Sequence, residues 1–186
     1  MNKNNFFFHK TAILDEKVTV GEKTNIWCYT HVSKNVTIGK NCNIGQNVFI
    51  GENVRIGNNV KIQNNVSVYS GVILEDFVFC GPSCVFTNVK NPRSKFPTDT
   101  YQKTIVKFNA SIGGNSTIVC GTSIGKFALI GAGSVVTKNV DDYTLVYGNP
   151  AKKKGWVSES GYKLDKNFFC KYENKSYLFL KNNKNV

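Results

Sequence analysis

Histidine is nearly absent from this chain, with only His9 and His31 in 186 residues. A zinc centre of three histidines with one open position is therefore excluded in its usual form. Long apolar runs are missing too. None approaches the roughly 18 residues that span a bilayer. Phe6 to Phe8 is too short for a signal-peptide core, and no small-residue cleavage pattern follows it. The expectation is a cytoplasmic protein with no membrane partner. Acidic residues are also few, 12 against 24 Lys and Arg, for a net charge of +12. Half of that excess sits in residues 151–186, which hold nine lysines and three carboxylates. No aromatic-basic or helix-turn-helix pattern accompanies the charge, so nucleic acid is not an expected partner. The basic excess is either a solvated surface or a means of gathering small polyphosphate ligands.

What the chain does have is a period of six. Leu14, Val20, Ile26, Val32, Ile38, Ile44, Ile50, Ile56, Ile62, Val68, Leu74, Cys80 and Phe86 form one column without a slip of register. Four places after each lies a small or β-branched residue, among them Val18, Thr24, Val36, Val48, Val60 and Val72. Three places after the first column, Asn35, Asn41, Asn47, Asn53, Asn59, Asn65 and Gly71 line up, and these residue types tolerate left-handed backbone angles. A six-residue period fits neither a helix nor a long strand. It fits two-residue strands joined by corners and stacked as parallel coils. Cys42, Cys80 and Cys84 fall in the inward columns and read as reduced, small apolar residues; the cysteine spacings match no zinc knuckle, so no metal is expected.

The period fails after Phe86, where Asn88, Asn91, Pro92, Arg93, Ser94 and Pro97 mark an inserted loop at about 88–105. Sixes resume at Val106 and run through Ile112, Ile118, Ile124, Ile130 and Val136, with the phase shifted by two places. The expected fold is all-β, a parallel β-helix of about six coils over residues 1–150, with a basic C-terminal extension over 151–186. Within the extension, Asn167 to Tyr172 and Ser176 to Leu180 read as a hairpin turning at Glu173-Asn174-Lys175.

The hexads resemble those of the left-handed β-helix acyltransferases, and the handedness is implied by that resemblance alone. Longer strings narrow it: Lys61-Ile62-Gln63-Asn64-Asn65-Val66-Ser67-Val68-Tyr69, Leu74-Glu75-Asp76, Phe79-Cys80-Gly81-Pro82-Ser83, Val85-Phe86-Thr87-Asn88-Val89, Asn91-Pro92-Arg93-Ser94, Ile130-Gly131-Ala132-Gly133-Ser134 and Gly148-Asn149-Pro150-Ala151. They are similar to N-acetyltransferases acting on nucleotide-linked 3-amino-3-deoxy sugars of surface glycans. The resemblance implies acetyl-CoA as cosubstrate, a homotrimer, and active sites between neighbouring subunits. It places Asn88 at the reacting amine, and Asn47, Lys61, Gln63, Asn64, Tyr69, Glu75, Asn91 and Arg93 at the nucleotide sugar. Small Ala132 and Gly133 suit the approach of the pantetheine, and Lys138, Lys152 and Lys153 suit the phosphates of coenzyme A. Aminolysis of a thioester needs alignment more than a strong base, and His31 is the candidate base if one is used. The acceptor is either a dTDP-linked 3-amino-3,6-dideoxyhexose or a UDP-linked 2-acetamido-3-amino uronic acid; a non-catalytic scaffold is the remaining alternative. Cys28 stands where relatives often carry His, which removes one proton carrier.

Overall fold

The structure, a computed structural model, describes residues 5–98 and 100–184. Each hexad forms one strand, as in Asn43–Ile44 and Phe49–Ile50, with the first residue outward and the second in the core. Three parallel sheets result, one per face of a triangular coil. The first face runs from Phe7–Phe8 through Lys61–Ile62 to Thr144–Tyr147, the second from Ile13–Leu14 to Val135–Val136, and the third from Thr19–Val20 to Ser123–Ile124. Partners lie three hexads apart over the first block, such as Asn25 with Asn43 and His31 with Phe49. One apolar column fills the interior, with Ile26, Ile44, Ile62, Ile112 and Ile130 almost wholly buried. Polar members of the inward columns are satisfied by the next coil: the Thr24 and Thr30 hydroxyls donate to the Gly39 and Gly45 carbonyls, each at 2.8 Å.

The corners are where the sequence places them. Asn35, Asn41, Asn47, Asn53, Asn59 and Asn65 all have φ between 53° and 61°, and Gly71 has 93°. The same conformation is imposed on Lys17, Tyr29, Phe77, Phe127 and Tyr143, residues with no preference for it. There the stack overrides local propensity.

The coil count needs correction, from about six to about eight on the first face. Two causes hide the extra coils. The lead-in is already in the stack, since Phe7 and Phe8 pair with Asn25 and Ile26; its residues before Asn5 lie outside the described residues. At the other end the step falls two places short of three hexads, with Ile124 against Val140 and Ile130 against Val146. The last coil thus leaves the register of sixes while staying in the sheet. The antiparallel strand Lys152–Trp156 then lies beside Thr144–Tyr147 and ends the parallel stack.

The expected loop is present. On the third face Ile56 pairs with Leu74 at the regular step, but Leu74 pairs next with Val106. That second step exceeds three hexads, and the surplus, two hexads and two further places, is accommodated outside the coil. The loop leaves at Asn88 and is closed by the Gln102 amide donating to the Asn88 carbonyl at 3.0 Å.

The C-terminal hairpin forms with Asn174 at its turn (φ 52°), but its strands are shorter than expected, Phe169–Cys170 and Lys175–Ser176. The second expected strand gives way to a 3-10 helix, Leu178–Lys184. The reason is spacing. Tyr177 and Leu180, three apart, both enter a small core with Leu164, Phe168 and Cys170, and a strand would send them to opposite sides. Glu173 locks this unit: it accepts from the Tyr177 hydroxyl, from the Ser160 hydroxyl, and from the Ser160 amide at 2.8 Å. Burial opposes its charge, but the bonds from Ser160, Tyr177 and Ser158 outweigh it and hold the carboxyl at about 2. Burial, together with donation to that carboxylate, pushes the Tyr177 phenol up to about 12.

Two outcomes follow. Asn53→Ala at an exposed left-handed corner costs about 1 kcal/mol in chemical denaturation, whereas Asn53→Gly costs a few tenths at most; equal costs would contradict the corner assignment. Because the folded Glu173 carboxyl titrates below its unfolded value, its contribution is complete above about pH 4.5 and is lost as pH falls toward 2. Hydrogen exchange at Phe169–Cys170 and Tyr177 should accelerate over that window, and Glu173→Gln should flatten the dependence.

Candidate functional site

The second face organises the site residues, and most of them lie on its outward surface or its two bordering edges. Its outward column is Ile13, His31, Phe49, Ser67, Val85, Thr117 and Val135, largely apolar on a solvent-facing sheet. Ile13 is 58% exposed. His31 meets both Asp15 carboxylate oxygens through Nε2 at 3.1 Å, and its ring lies edge-on to Phe49, centroids 5.8 Å apart. Phe49 in turn contacts Tyr69 at 5.4 Å. These contacts hold the His31 ring between Asp15 and Phe49, and the Phe49 ring against Tyr69.

The edge between the first and second faces carries Asn47, Gln63, Asn64, Ala132 and Gly133, and Lys61 lies beside it on the first face. Asn47 donates through Nδ2 to Asn65 Oδ1 at 3.0 Å, so its side chain is committed to the corner ladder. Asn64 accepts the Gln46 amide at 3.0 Å through Oδ1. Lys61 points outward between Asn43 and Phe79 and is exposed, with no ion-pair partner among the described residues. A hollow of about 160 Å³ is lined by Trp27, Cys28, Asn43, Gln46, Gln63 and Asn64, with Gly45 and Ile62 behind them. Higher on the same edge, Ala132 and Gly133 are exposed, and a Cβ built on Gly133 would meet nothing within 4 Å. The backbone there is open to a ligand.

The edge between the second and third faces carries Asn88 and the loop. Asn88 and Arg93 share a hollow of about 480 Å³ with Val89, Pro92, Ser94 and Tyr101. The Arg93 guanidinium is turned back onto the Pro92 carbonyl at 3.0 Å; Asn91 is exposed on the loop outside that hollow. The register stacks Ser70, Asn88, Cys120 and Lys138 in one column. Lys138 is therefore two coils, roughly 10 Å, from Asn88, while His31 is three coils away in the other direction.

The remaining candidates lie apart. Glu75 belongs to the third face, and its carboxylate accepts the Phe108 amide at 2.8 Å, a bond that seats one coil on the next across the insertion. Lys153 lies 3.6 Å over the Trp156 ring and 4.0 Å from Asp141, and Lys152 is exposed beside it on the closing strand. The two edges are separated by one face, roughly 15 Å across. One chain thus places the candidate residues on two edges and does not itself join them.

Trp27, Asn43 and Gln46 line the smaller hollow but are not among the sequence candidates, and for Trp27 a signal was available. The place after each inward residue is often Gly, and at Gly45 a Cβ would fall 2.8 Å from the Asn64 amide nitrogen. Trp27, Gln63, Tyr69 and Glu75 all break that glycine column. No group of His, Cys, Asp or Glu suited to a metal ion occurs among the described residues, and no helix among them is long and apolar enough to cross a membrane.

Comparison with known proteins concerns the coils rather than the individual side chains. Residues 17–52 match the sequence model described as bacterial transferase hexapeptide (six repeats), and residues 35–70 and 105–138 match that of the hexapeptide repeat of succinyl-transferase. The matched coils are similar to those hexapeptide repeats, and the fold of the chain is a β-solenoid with the same six-residue period. A 66-residue stretch is 54% identical to the dTDP-3-amino-3,6-dideoxy-alpha-D-galactopyranose 3-N-acetyltransferase of Aneurinibacillus thermoaerophilus, covering 36% of this chain and 34% of that protein. This chain thus matches about a third of that curated relative's length. Among solved structures, AntD, an N-acyltransferase from Bacillus cereus in complex with dTDP and coenzyme A, covers 85% of this chain and 87% of its own at 18% identity, TM-score 0.53. PerB from Caulobacter crescentus, in complex with CoA and GDP-perosamine, covers 80% and 56% at 20% identity, TM-score 0.50. These two likenesses concern the fold.

Proposed function

We propose that this protein is an acetyl-CoA-dependent N-acetyltransferase that acylates the 3-amino group of a nucleotide-linked amino sugar, a dTDP-linked 3-amino-3,6-dideoxyhexose. The observation that carries the reading is the 54% identity over 66 residues with an enzyme named for that activity. The geometry supports it through the Asn88 column, which sets a carboxamide and the Lys138 ammonium two coils apart on one edge. In this reading the sugar amine, neutral at the moment of attack, forms a bond to the acetyl carbonyl carbon. The carbon–sulfur bond breaks, and coenzyme A leaves as a thiolate that takes up the proton released from nitrogen. Asn88 orients the amine by accepting its hydrogen bond. His31, held by Asp15, lies three coils from Asn88 and is not required as a base.

The functional unit is a homotrimer of cytoplasmic protein. Burying the apolar outward column of the second face against neighbouring subunits brings the Asn88 edge of one prism toward the Gln63 edge of the next, which joins the two half-sites. The pantetheine then follows the exposed Ala132 and Gly133 backbone, with Lys138 and Lys152 at the phosphates.

Thiol release from acetyl-CoA, measured on a panel of dTDP- and UDP-linked 3-amino sugars, tests the activity. Turnover on a dTDP-linked 6-deoxy sugar is expected, with Asn88→Ala lowering kcat on the order of 10²-fold and leaving KM for acetyl-CoA within about twofold. Turnover on the UDP-linked uronate alone would reassign the sugar, and no thiol release on any member would reject the activity. Light scattering tests the assembly: the wild type should have three times the chain mass, and Phe49→Glu should reduce it to one.

A further inference from the structure

We propose that the hollow at Trp27 is a nucleobase pocket and that it selects a single-ring dione, thymine or uracil, over a purine. The proposal rests on the nucleotide-sugar reading above and deepens it. The first argument is size: about 160 Å³ is small beside the roughly 300–1,000 Å³ of a site that encloses a whole drug-sized ligand, so the hollow suits one ring.

The second argument is the platform. Trp27 is 44% exposed, yet its ring is not free to swing: Nε1 donates to Asn43 Oδ1 at 2.9 Å, and Phe7 packs against it with centroids 5.7 Å apart at 62°. An indole whose polar edge is already bound offers only its π-surface, which is what a stacked base uses.

The third is the polar lining, made of neutral amides. Three of their oxygens are occupied: Asn43 Oδ1 by Trp27, Asn64 Oδ1 by the Gln46 amide, and Gln46 Oε1 by the Cys28 thiol at 3.8 Å. The NH2 groups of Asn43, Gln46 and Asn64 have no hydrogen-bond partner among the described residues. Gln63 is uncommitted there at both its amide oxygen and its nitrogen. A rim rich in NH donors, with one amide free to accept, complements the carbonyl, N–H, carbonyl edge of a pyrimidine dione.

The fourth is charge. No Lys or Arg lines the hollow, so it offers a phosphate no cationic partner. Lys61 stands outward two residues before Gln63, roughly 7 Å along the strand, where the diphosphate attached to a seated base would lie.

Titration calorimetry of the full chain with dTDP, UDP, ADP and GDP, without sugar or acyl donor, tests the pocket. The two pyrimidine diphosphates should bind about tenfold or more tightly than the purines. Trp27→Ala should weaken dTDP at least about tenfold, and Trp27→Phe should recover most of that. Gln63→Leu, which leaves the Trp27 packing untouched, should weaken both pyrimidine nucleotides, with coenzyme A affinity unchanged in all three variants. Equal affinity for all four diphosphates, or dTDP binding unaltered in Trp27→Ala and Gln63→Leu, would overturn the proposal. Selective pyrimidine binding without acetyl transfer to any amino sugar supports the pocket while rejecting the acetyltransferase reading. Acetyl transfer without selective nucleotide binding does the reverse.

Discussion

The parallel ladder between coils is the constraint on which everything else depends. With strands of two residues, no coil satisfies its own backbone, and each amide must find its carbonyl in the next coil, as Asn25 does with Cys42 and Lys61 with Val78. The corner must then place every strand directly over its predecessor. That requirement explains why Phe77, Phe127 and Tyr143 accept a left-handed backbone that suits Asn or Gly far better. Local preference is worth about 1–2 kcal/mol per residue; a slipped coil would leave several buried backbone groups unpaired and a core column exposed, at a larger cost.

This constraint also determines how much of the molecule is legible from residue order. The inward column from Leu14 to Phe86 is read directly, because a period of six is a one-dimensional property. The loop is read for the same reason, since an insertion that is not a whole number of hexads shifts the phase, here by two places between Leu74 and Val106. What escapes is what leaves the phase without leaving the sheet. Val140 and Val146 sit over Ile124 and Ile130 at a shortened step, and nothing in the period distinguishes a shortened coil from the end of the stack. The 3-10 helix from Leu178 is hidden differently: its i, i+3 burial serves a core of five side chains gathered between Leu164 and Leu180, too small to impose a repeat.

For the candidate site, residue type was more legible than location. Asn88, Lys61, Gln63 and Asn64 interrupt a regular scaffold and can be picked out as such. Glu75 interrupts it equally, yet its carboxylate seats the Phe108 amide across the insertion. A break in the glycine column therefore marks either a ligand contact or a repair of the ladder, and only the hydrogen-bond partners distinguish them. In the proposed pocket Trp27 is of the first kind, its one polar atom bound laterally to Asn43 while its ring remains outside the core.

The division of the candidates between two edges follows from the prism itself. A triangular coil only one side chain thick has no interior to spare for a cavity, so any site must lie along an edge and be open on at least one side. An acyl transfer that must align two large partners and limit water gains little from one exposed edge. In the proposed trimer, two edges bordering an apolar face remove that limitation, since burying Ile13, Phe49 and Val85 would close the open side of each candidate edge with the neighbouring one. In the proposed enzyme, assembly and alignment are then one event. In that proposal catalysis would rest on carboxamides and lysines held in register by the ladder, and the near-absence of histidine is compatible with that chemistry.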